Sequence, residues 1–454
     1  MAICEMMAIG DSLLNGVRSL TIDKTLAQWS VPAQLAKALG ISDFAIPDYP
    51  RNVVINFEQW VRDLPFVSKV FDDLNGNISF WNTQPKSALP QFDNIAIASS
   101  LWSDLYDRTW KTAQAEIDAI NTLVAQGKTT YNDNLAELFF AFNTRFILNP
   151  TGDPNTPALS PLEIVAARKP KRLIISIGAN NGLWAMAFAA TACTGAGQAT
   201  GPFSAGDLAQ LQTFITKLQA LPPDIEHIYI NTLPHPSDTA TMMPDDDGEL
   251  DDKPGAGKFY PRYENRFGFN YNQLSGDQVA ANDKVIDDLK AHIAGLVTDP
   301  RIHFVPIDTT FDAYDFKTNA QAKVVAAPND GRPLSNIMIN KGTDAQTDDE
   351  YWYGGLIGMD GMHPTFIGYN VMAQTVLATI QANEPGLAIP NPLPTVAQVY
   401  NADKLVNDLP GDWGLLLGAW LEIRRLSGVG QTPAASPTNS SVKSLMSVVK
   451  FKTS

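Results

Sequence analysis

The stretch CEMMAIGDSLL, residues 4–14, joins an apolar run to a turn and to the start of a helix. The run 4–9 is apolar apart from Glu5, which is typical of a buried strand, and Gly10-Asp11-Ser12 follows it as a tight turn. A serine placed here lies at the carboxyl edge of a sheet and at a helix N-terminus. Ser12 is therefore a candidate nucleophile, and a helix-capping role is the alternative that this motif leaves open.

Four more short apolar runs are typical of strands, and segments with helical periodicity separate them. The strand-like runs are 94–98, 172–177, 227–231 and 302–307, and the helical segments are 102–124, 208–221, 279–296 and 366–380. Alternation of strand and helix predicts a parallel sheet that is covered by helices on both faces. The expected fold class is therefore α/β.

A length of 454 residues fits either several domains or one α/β core with long insertions. We expect a main domain over 1–385, with insertions near 52–91 and 243–276, where turn residues interrupt the alternation. Beyond it, 386–426 is expected to form a helical C-terminal extension. Gly, Ser, Thr and Pro then indicate a flexible tail over 427–454.

The composition is acidic, with a formal charge of −15 and a pI near 4.7. Such a field repels phosphate backbones, which argues against a nucleic-acid partner. No run of about 20 apolar residues is present, so no transmembrane helix is predicted, and residues 1–9 lack the basic start of a secretory signal. The sequence as written predicts a cytoplasmic protein, or a secreted one if a leader is missing.

A second motif, DGMHPT at 360–365, stands immediately before the helical segment that starts near Phe366. A serine nucleophile needs a base to accept its proton, and a histidine base needs a carboxylate to fix its tautomer. An aspartate three residues ahead of a histidine can point to the same site, which favours Asp360 and His363 as such a pair. Local hydrogen bonding in a loop is the alternative for either residue alone.

A third motif, SIGANNG at 176–182, again follows an apolar run. Gly178 allows a sharp turn of the backbone, and the side-chain amide of Asn180 can donate to an oxyanion. Taken alone, the motif is an ordinary Asn-Gly turn.

Together the three motifs resemble the GDSL family, also called SGNH hydrolases, which are serine esterases and lipases with a flavodoxin-like sheet. The matching stretches are GDSL at 10–13, GANN at 178–181 and DGMHP at 360–364, in the family's order. The resemblance implies a flavodoxin-like three-layer sandwich and an acyl-enzyme on Ser12. His363 would be the general base and then the general acid, oriented by Asp360.

The same resemblance implies an oxyanion hole made of the Ser12 backbone N–H, the Ser99 backbone N–H and the Asn180 side chain. Ser99 stands where the family has glycine, and Asn181 where it has aspartate. A backbone donor survives a change of side chain, so the first departure is tolerated if Ser99 adopts the required φ and ψ. The second matters less if Asn180 is the donor.

His235, in LPHP at 233–236, follows a strand-like run and falls at the same edge of the sheet. It is a candidate substrate-binding residue, with no catalytic role as the commoner alternative. No cofactor and no metal are expected, because the mechanism needs none and no Cys or His cluster has zinc spacing. The acidic run at 245–247 offers carboxylates for a cation such as calcium, but a solvated loop is more usual and the helix-loop-helix ligand spacing is absent.

The expected function is hydrolysis of a carboxylic ester, with a small-molecule, lipid or acylated-sugar ester as substrate. Trp102, Trp184 and the aromatic run 351–353 could wall its pocket or serve as packing. A catalytically inactive SGNH-like ligand-binding protein is the alternative. A flavodoxin-like phosphate-binding protein is a further one, although it leaves Asp360 and His363 without a purpose.

Overall fold

The computed structural model describes residues 4–63, 67–244, 259–265, 273–319, 321–323, 325–329, 331–337, 339–343 and 350–409. The strands within these ranges are β1 (Met6–Gly10), β2 (Arg172–Ser176), β3 (His227–Asn231), β4 (Met242–Pro244), β5 (Arg262–Asn265), β6 (Gln273–Ser275), β7 (Ile302–Val305), β8 (Val325–Ala326), β9 (Pro333–Leu334), β10 (Asn340–Thr343) and β11 (Glu350–Tyr353). The α-helices are α1 (Ser12–Asn15), α2 (Lys24–Gln28), α3 (Val31–Ala38), α4 (Phe57–Arg62), α5 (Val67–Asn82), α6 (Asp104–Asp107), α7 (Trp110–Ala125), α8 (Leu135–Leu148), α9 (Pro161–Arg168), α10 (Leu183–Ala187), α11 (Ala205–Gln219), α12 (Gly276–Leu296), α13 (Ile307–Asp312), α14 (Phe366–Asn383), α15 (Val396–Ala402) and α16 (Lys404–Asn407). Short 3-10 helices are found at Tyr131–Asn134, Ala179–Asn181 and Pro236–Asp238.

The central sheet is parallel, with the order β1-β2-β3-β7. The segment 94–98 runs along the other side of β1 and is held by backbone bonds from Ile95 N to Ala8 O (2.8 Å) and from Ile97 N to Gly10 O (2.9 Å). When this segment is counted as the second strand in the chain, the spatial order is 2-1-3-4-5. That order is the flavodoxin-like one, and the predicted α/β fold class is confirmed.

Alternate side chains of the sheet enter two separate cores. On β1, Met7 and Ile9 belong to one buried cluster, whereas Met6 and Ala8 belong to the other. Successive side chains of a strand point to opposite faces, so both faces of this sheet must be covered. Side chains of α7, α8 and α11 contribute to the first cluster and those of α3 and α14 to the second, which gives three layers.

Two predicted elements have other bounds than the apolar pattern suggested. The predicted strand 302–307 stops at Val305, because Pro306 lacks an N–H and α13 starts at Ile307. The predicted helix 102–124 is divided into α6 and α7, and the side chain of Thr109 caps the second helix by accepting from Thr112 N. Of the helices in the described ranges, none is both long and apolar enough to cross a bilayer.

The segment 52–91, a predicted insertion, contributes to the core. It contains α4 and α5, and the α5 side chains of Leu74, Ile78 and Trp81 are at most 2% exposed and belong to the first core cluster. Trp81 also donates its indole N–H to the carbonyl of Asn52. The segment lies outside the sheet, but its helical face builds the core.

The other two predicted segments are described only in part. Within 243–276, β4, β5 and β6 form a small antiparallel sheet, and the acidic run 245–247 lies outside the described residues. In the C-terminal region, α15 and α16 bury apolar side chains against the same core cluster as α14. The predicted helical segment beyond 409 and the predicted tail 427–454 also lie outside the described residues.

Candidate active site

A sharp turn at the end of β1 carries Ser12. Gly10 has a φ of 140°, and a Cβ there would lie 1.9 Å from the carbonyl oxygen of Ser176, so only glycine fits between the two strand ends. Asp11 then caps the short helix α1 by accepting from Leu13 N at 3.1 Å. Capping thus falls to Asp11, and the Ser12 hydroxyl is left for another role.

Ser12, His363 and Asp360 form a hydrogen-bonded chain. Ser12 Oγ lies 2.9 Å from His363 Nε2, and His363 Nδ1 lies 2.6 Å from Asp360 Oδ2. All three residues are less than 9% exposed. With Nδ1–H donating to the carboxylate, Nε2 is free to accept the serine proton, and this is the arrangement that a general base requires.

Backbone donors hold the Asp360 carboxylate in place. It accepts hydrogen bonds from His363 N (2.9 Å), Met362 N (3.1 Å) and Leu20 N (2.8 Å). Burial acts to raise the pKa of Asp360, but the charge and hydrogen bond of His363 and these backbone donors outweigh it and lower the pKa. Asp360 is therefore ionised across the neutral range and can stabilise an imidazolium.

The turn that presents Leu20 was not singled out by the sequence. Ser19 and Leu20 have φ values of 50° and 54°, which is the left-handed region that bulky residues rarely adopt. Ser19 Oγ accepts from Met359 N at 3.0 Å, and the neighbouring Arg18 is paired with Glu58 on one side. The strained turn thus fastens the loop of Asp360 to the loop of Ser12.

Ser99 adopts the backbone conformation that its glycine-like position demands. Its φ is 68° and its side chain is exposed. The side chain of Asn180 lies beside it and donates from Nδ2 to the Ser100 carbonyl at 3.0 Å. A second amide hydrogen of Asn180 remains for an oxyanion. Ser12, Ser99, Asn180 and His363 all line one cavity.

A buried polar network that the sequence did not reveal fixes the segment before Ser99. Asn143 Oδ1 accepts from Ala98 N at 3.1 Å, and both Asn143 and Asn15 donate to the hydroxyl of Tyr49 at 2.9 Å. Asn15 also donates to the Ala96 carbonyl at 2.7 Å. Because Asn15 belongs to α1, this network ties the end of 94–98 to the helix of Ser12.

Asn181, the second departure from the family pattern, is structural. Its Oδ1 accepts from Trp102 N at 3.1 Å, and its Nδ2 donates to Asp207 at 2.8 Å. Gly178 has a φ of 112° and lies against the ring of Trp102, so that a Cβ there would come within 2.9 Å of the ring. Trp102 is therefore packing, whereas Trp184 lines the cavity. The side chains of the aromatic run 351–353 lie outside the described residues.

The cavity has a volume of about 610 Å³ and reaches from Ser12 and His363 to α7 and α8. Its lining includes the apolar side chains of Leu20, Ile55, Ile120 and Phe139. Arg108 and Glu116 also line it and pair with each other through two hydrogen bonds of 2.9 and 2.5 Å. This volume is typical of a site for a small organic ligand.

His235 lies elsewhere along the same edge of the sheet. Its Nδ1 is 2.6 Å from Asp312 Oδ1, and its Nε2 is 3.4 Å from Asp287 Oδ1. Among the described residues that line the cavity of Ser12, His235 is absent. The structure therefore groups it with carboxylates rather than with the other predicted site residues.

Comparisons with known proteins add one weak likeness. No family model matches the chain, and no curated protein matches it in sequence. Among solved structures, it is similar to Axe2, an acetylxylan esterase from Geobacillus stearothermophilus, with 11% identity over 83% of this chain and 94% of that chain and a TM-score of 0.28. The geometry of Ser12, His363 and Asp360 is the stronger indication of function.

Proposed function

We propose that this protein is a serine hydrolase that cleaves carboxylic esters through an acyl-enzyme on Ser12. The observation that carries the proposal is the continuous chain from Ser12 Oγ to His363 Nε2 and from His363 Nδ1 to Asp360, with distances of 2.9 and 2.6 Å. The contact between Ser12 and His363 joins residues 351 positions apart in the sequence.

In the acylation step, Ser12 Oγ attacks the carbonyl carbon of the ester while His363 Nε2 takes the hydroxyl proton. The carbonyl oxygen becomes an oxyanion that accepts hydrogen bonds from the backbone N–H groups of Ser12 and Ser99 and from Asn180 Nδ2. The N–H of Ser12 is suited to this because the first N–H groups of a helix have no intrahelical partner. Collapse of the intermediate breaks the ester bond, and His363 protonates the leaving alcohol.

In the deacylation step, His363 takes a proton from a water molecule, and the resulting hydroxide attacks the acyl carbon. The same donors hold the second oxyanion, and its collapse breaks the bond to Ser12 Oγ, which recovers its proton from His363. Asp360 remains ionised throughout and stabilises the imidazolium formed in each step. No metal or cofactor takes part in this sequence.

The cavity favours an ester with an apolar acyl group of moderate length. Apolar side chains from α7 and α8, among them Ile120 and Phe139, lie in the same cavity as the nucleophile. Burial of each methylene of an acyl chain against such a wall contributes roughly 0.8 kcal/mol. A longer chain therefore gains binding energy until the cavity is full.

The test is hydrolysis of nitrophenyl esters from acetate upward in chain length by the wild type and by Ser12→Ala. We expect turnover by the wild type, an optimum above acetate, and a loss of about 10⁴-fold or more in kcat for the variant. Ser100→Ala is the matched control, because Ser100 is buried in the adjacent loop and its Oγ has no hydrogen-bond partner.

Absence of ester cleavage by the folded wild type across the series would contradict the proposal and favour a ligand-binding protein that has kept the fold. Equal turnover by wild type and Ser12→Ala would remove Ser12 from the mechanism. An optimum at acetate would agree with the proposed ester cleavage but would contradict the proposed preference for an apolar acyl group.

A further inference from the structure

Charged side chains converge at the carboxyl end of β3 and β7, away from the cavity of Ser12. His235 and Asp238 lie in the loop after β3, Asp312 ends α13, which follows β7, and Asp283 and Asp287 are one turn apart on α12. One ligand atom each of His235, Asp238 and Asp312 lies within 4.8 Å of the others. Three separate segments of the chain therefore bring an imidazole and carboxylates to one point.

Two buried atoms in this cluster lack hydrogen-bond partners. Asp238 is 2% exposed, and its Oδ1 has no partner, whereas its Oδ2 accepts from His235 N at 3.0 Å. His235 is 8% exposed, and its Nε2 also has no hydrogen-bond partner, with Asp287 Oδ1 3.4 Å away. A buried polar atom without a partner has lost its hydration without a replacement hydrogen bond, and the cost is greater when the atom is charged. Asp238 Oδ1 can donate an electron pair to a cation directly, and His235 Nε2 can do so once its ring is neutral.

We propose that His235, Asp238 and Asp312, with Asp287 on the solvent side, form a binding site for a divalent cation of the Zn²⁺ or Mn²⁺ class. Imidazole suits transition metals, and carboxylates suit harder cations, so a mixed set favours Zn²⁺ or Mn²⁺ over Ca²⁺ or Mg²⁺. The unpartnered atoms of Asp238 and His235 carry this inference.

The charge balance of the region supports a cation. Within the described residues, the carboxylates around His235 and Asp238 include those of Asp283, Asp287, Asp312 and Asp315, and Lys317 is a neighbouring base. The Lys317 ammonium donates to the carbonyls of Thr239 and Met242, at 2.5 and 3.0 Å. Lys317 therefore holds the loop backbone in place. The carboxylates outnumber the two basic groups, His235 and Lys317.

Without a cation, bound protons neutralise part of the negative charge of this cluster. Burial acts to lower the pKa of His235, but the hydrogen bond to Asp312 and the charge of Asp238 raise it to about 10. Burial and the charges of Asp315 and Asp312 raise the pKa of Asp238 well above its usual value. Because an imidazole must be neutral to ligate a metal ion, binding of a divalent cation should release protons to the buffer.

A bound cation would hold the loop after β3 in place beside the loop of Asp360 and His363. Ser237 N donates to Asp283 on α12 at 3.1 Å, and Thr241 N donates to the carbonyl of Gly361 at 3.1 Å. The loop after β3 thus connects the acidic cluster to the loop of Asp360 and His363. A cation that joins this loop to α13 is expected to stabilise the fold, and it takes no part in ester cleavage.

The test is titration of the chelator-treated full chain with ZnCl₂, MnCl₂, CaCl₂ and MgCl₂ by calorimetry and thermal unfolding. We expect saturable binding of about one Zn²⁺ or Mn²⁺, and a rise in Tm of about 2–5 °C. Repeating the calorimetry in buffers of different ionisation enthalpy measures the protons released. None of these measurements requires an ester, so their outcome tests the cation site independently of the proposed activity.

Two variants locate the site. His235→Gln and Asp312→Asn are expected to weaken binding at least tenfold, and the Asp312 side chain is 42% exposed, so its variant should fold. Asp288→Asn is the matched control, because Asp288 is an exposed residue of α12 that pairs with Lys284. We expect its affinity to stay within twofold of the wild type.

Absence of saturable binding by the wild type would overturn the proposal, as would unchanged affinity in Asp312→Asn. Tighter binding of Ca²⁺ or Mg²⁺ than of Zn²⁺ and Mn²⁺ would overturn the class of cation.

Discussion

Two histidine and aspartate pairs lie along the same carboxyl edge of the sheet. The pair of His363 and Asp360 faces the end of β1, and the pair of His235 and Asp312 follows β3 and β7. In both pairs Nδ1 lies 2.6 Å from a carboxylate oxygen, but the surroundings differ. Backbone N–H groups surround Asp360, whereas carboxylates surround His235.

This difference decides what each pair can do. Three backbone donors and one imidazole keep Asp360 ionised, so its carboxylate can hold the His363 ring with Nε2 directed at Ser12. The buried Asp238, by contrast, has an oxygen without a partner and several like charges around it, which favours binding of a proton or a cation. We therefore propose that the same two residue types serve catalysis in one place and cation binding in the other.

After Ser12→Ala, the largest expected effect comes from Asp360→Asn. An amide in place of the carboxylate favours the wrong imidazole tautomer, so we expect kcat for nitrophenyl esters to fall about 10³–10⁴-fold. Steady-state kinetics of the variant beside Ser100→Ala provides the measurement. A loss below tenfold would show that Asp360 does not orient His363.

Asn180→Ala and Asn181→Ala together distinguish an oxyanion donor from an amide with a structural role. Removal of one donor is expected to lower kcat about 10²–10³-fold with little change in Tm. Asn181→Ala should instead lower Tm with little change in kcat. Asn181 joins Trp102 N to Asp207, and its loss leaves buried groups unpaired, which lowers the free energy of unfolding by about 1–3 kcal/mol. Equal kinetic losses in both variants would contradict these roles.

The two pairs should lose stability at opposite ends of the pH range. The pKa of Asp360 is lowered by folding, so its contribution is present above its unfolded value and is lost as the pH falls through the folded pKa. The pKa of His235 is raised to about 10, so its contribution is complete below about 6.5 and is lost as the pH rises towards 10.

Urea unfolding of the chelated protein from pH 3 to pH 10 tests this contrast. His235→Gln should flatten the alkaline side of the profile, and Asp360→Asn should flatten the acidic side. A steeper alkaline loss in His235→Gln than in the wild type would show that the His235 charge does not stabilise the fold.

The smallest expected effect comes from Ser99→Gly. The φ of 68° costs a serine up to about 1 kcal/mol, which glycine avoids, although the greater freedom of glycine in the unfolded chain offsets part of the gain. We expect kcat within threefold of the wild type and a free energy of unfolding that changes by less than about 1 kcal/mol. A tenfold loss of kcat would show that the Ser99 hydroxyl, and not only its N–H, takes part.

Local patterns predicted the parts of the fold that local forces dictate. The apolar runs around β1, β2, β3 and β7 and the amphipathic segments of α11, α12 and α14 identified most of the central layers, because burial on a sheet or a helix face imposes a period on the sequence. The core role of 52–91 escaped this reasoning, because the pattern of turn residues there does not show what the α5 face packs against.

The sequence by itself determined a parallel α/β fold and a short set of candidate residues, Ser12, Asp360, His363 and Asn180, since each stands in a motif at a predicted strand end or before a predicted helix. Only the tertiary structure decided the distances between these residues, the hydrogen bond from the turn at Leu20 to Asp360 and the position of His235. The donors of Asp360 and the carboxylates around His235 come from distant parts of the chain. Their electrostatic effect depends on separations of a few ångströms, which sequence spacing does not encode.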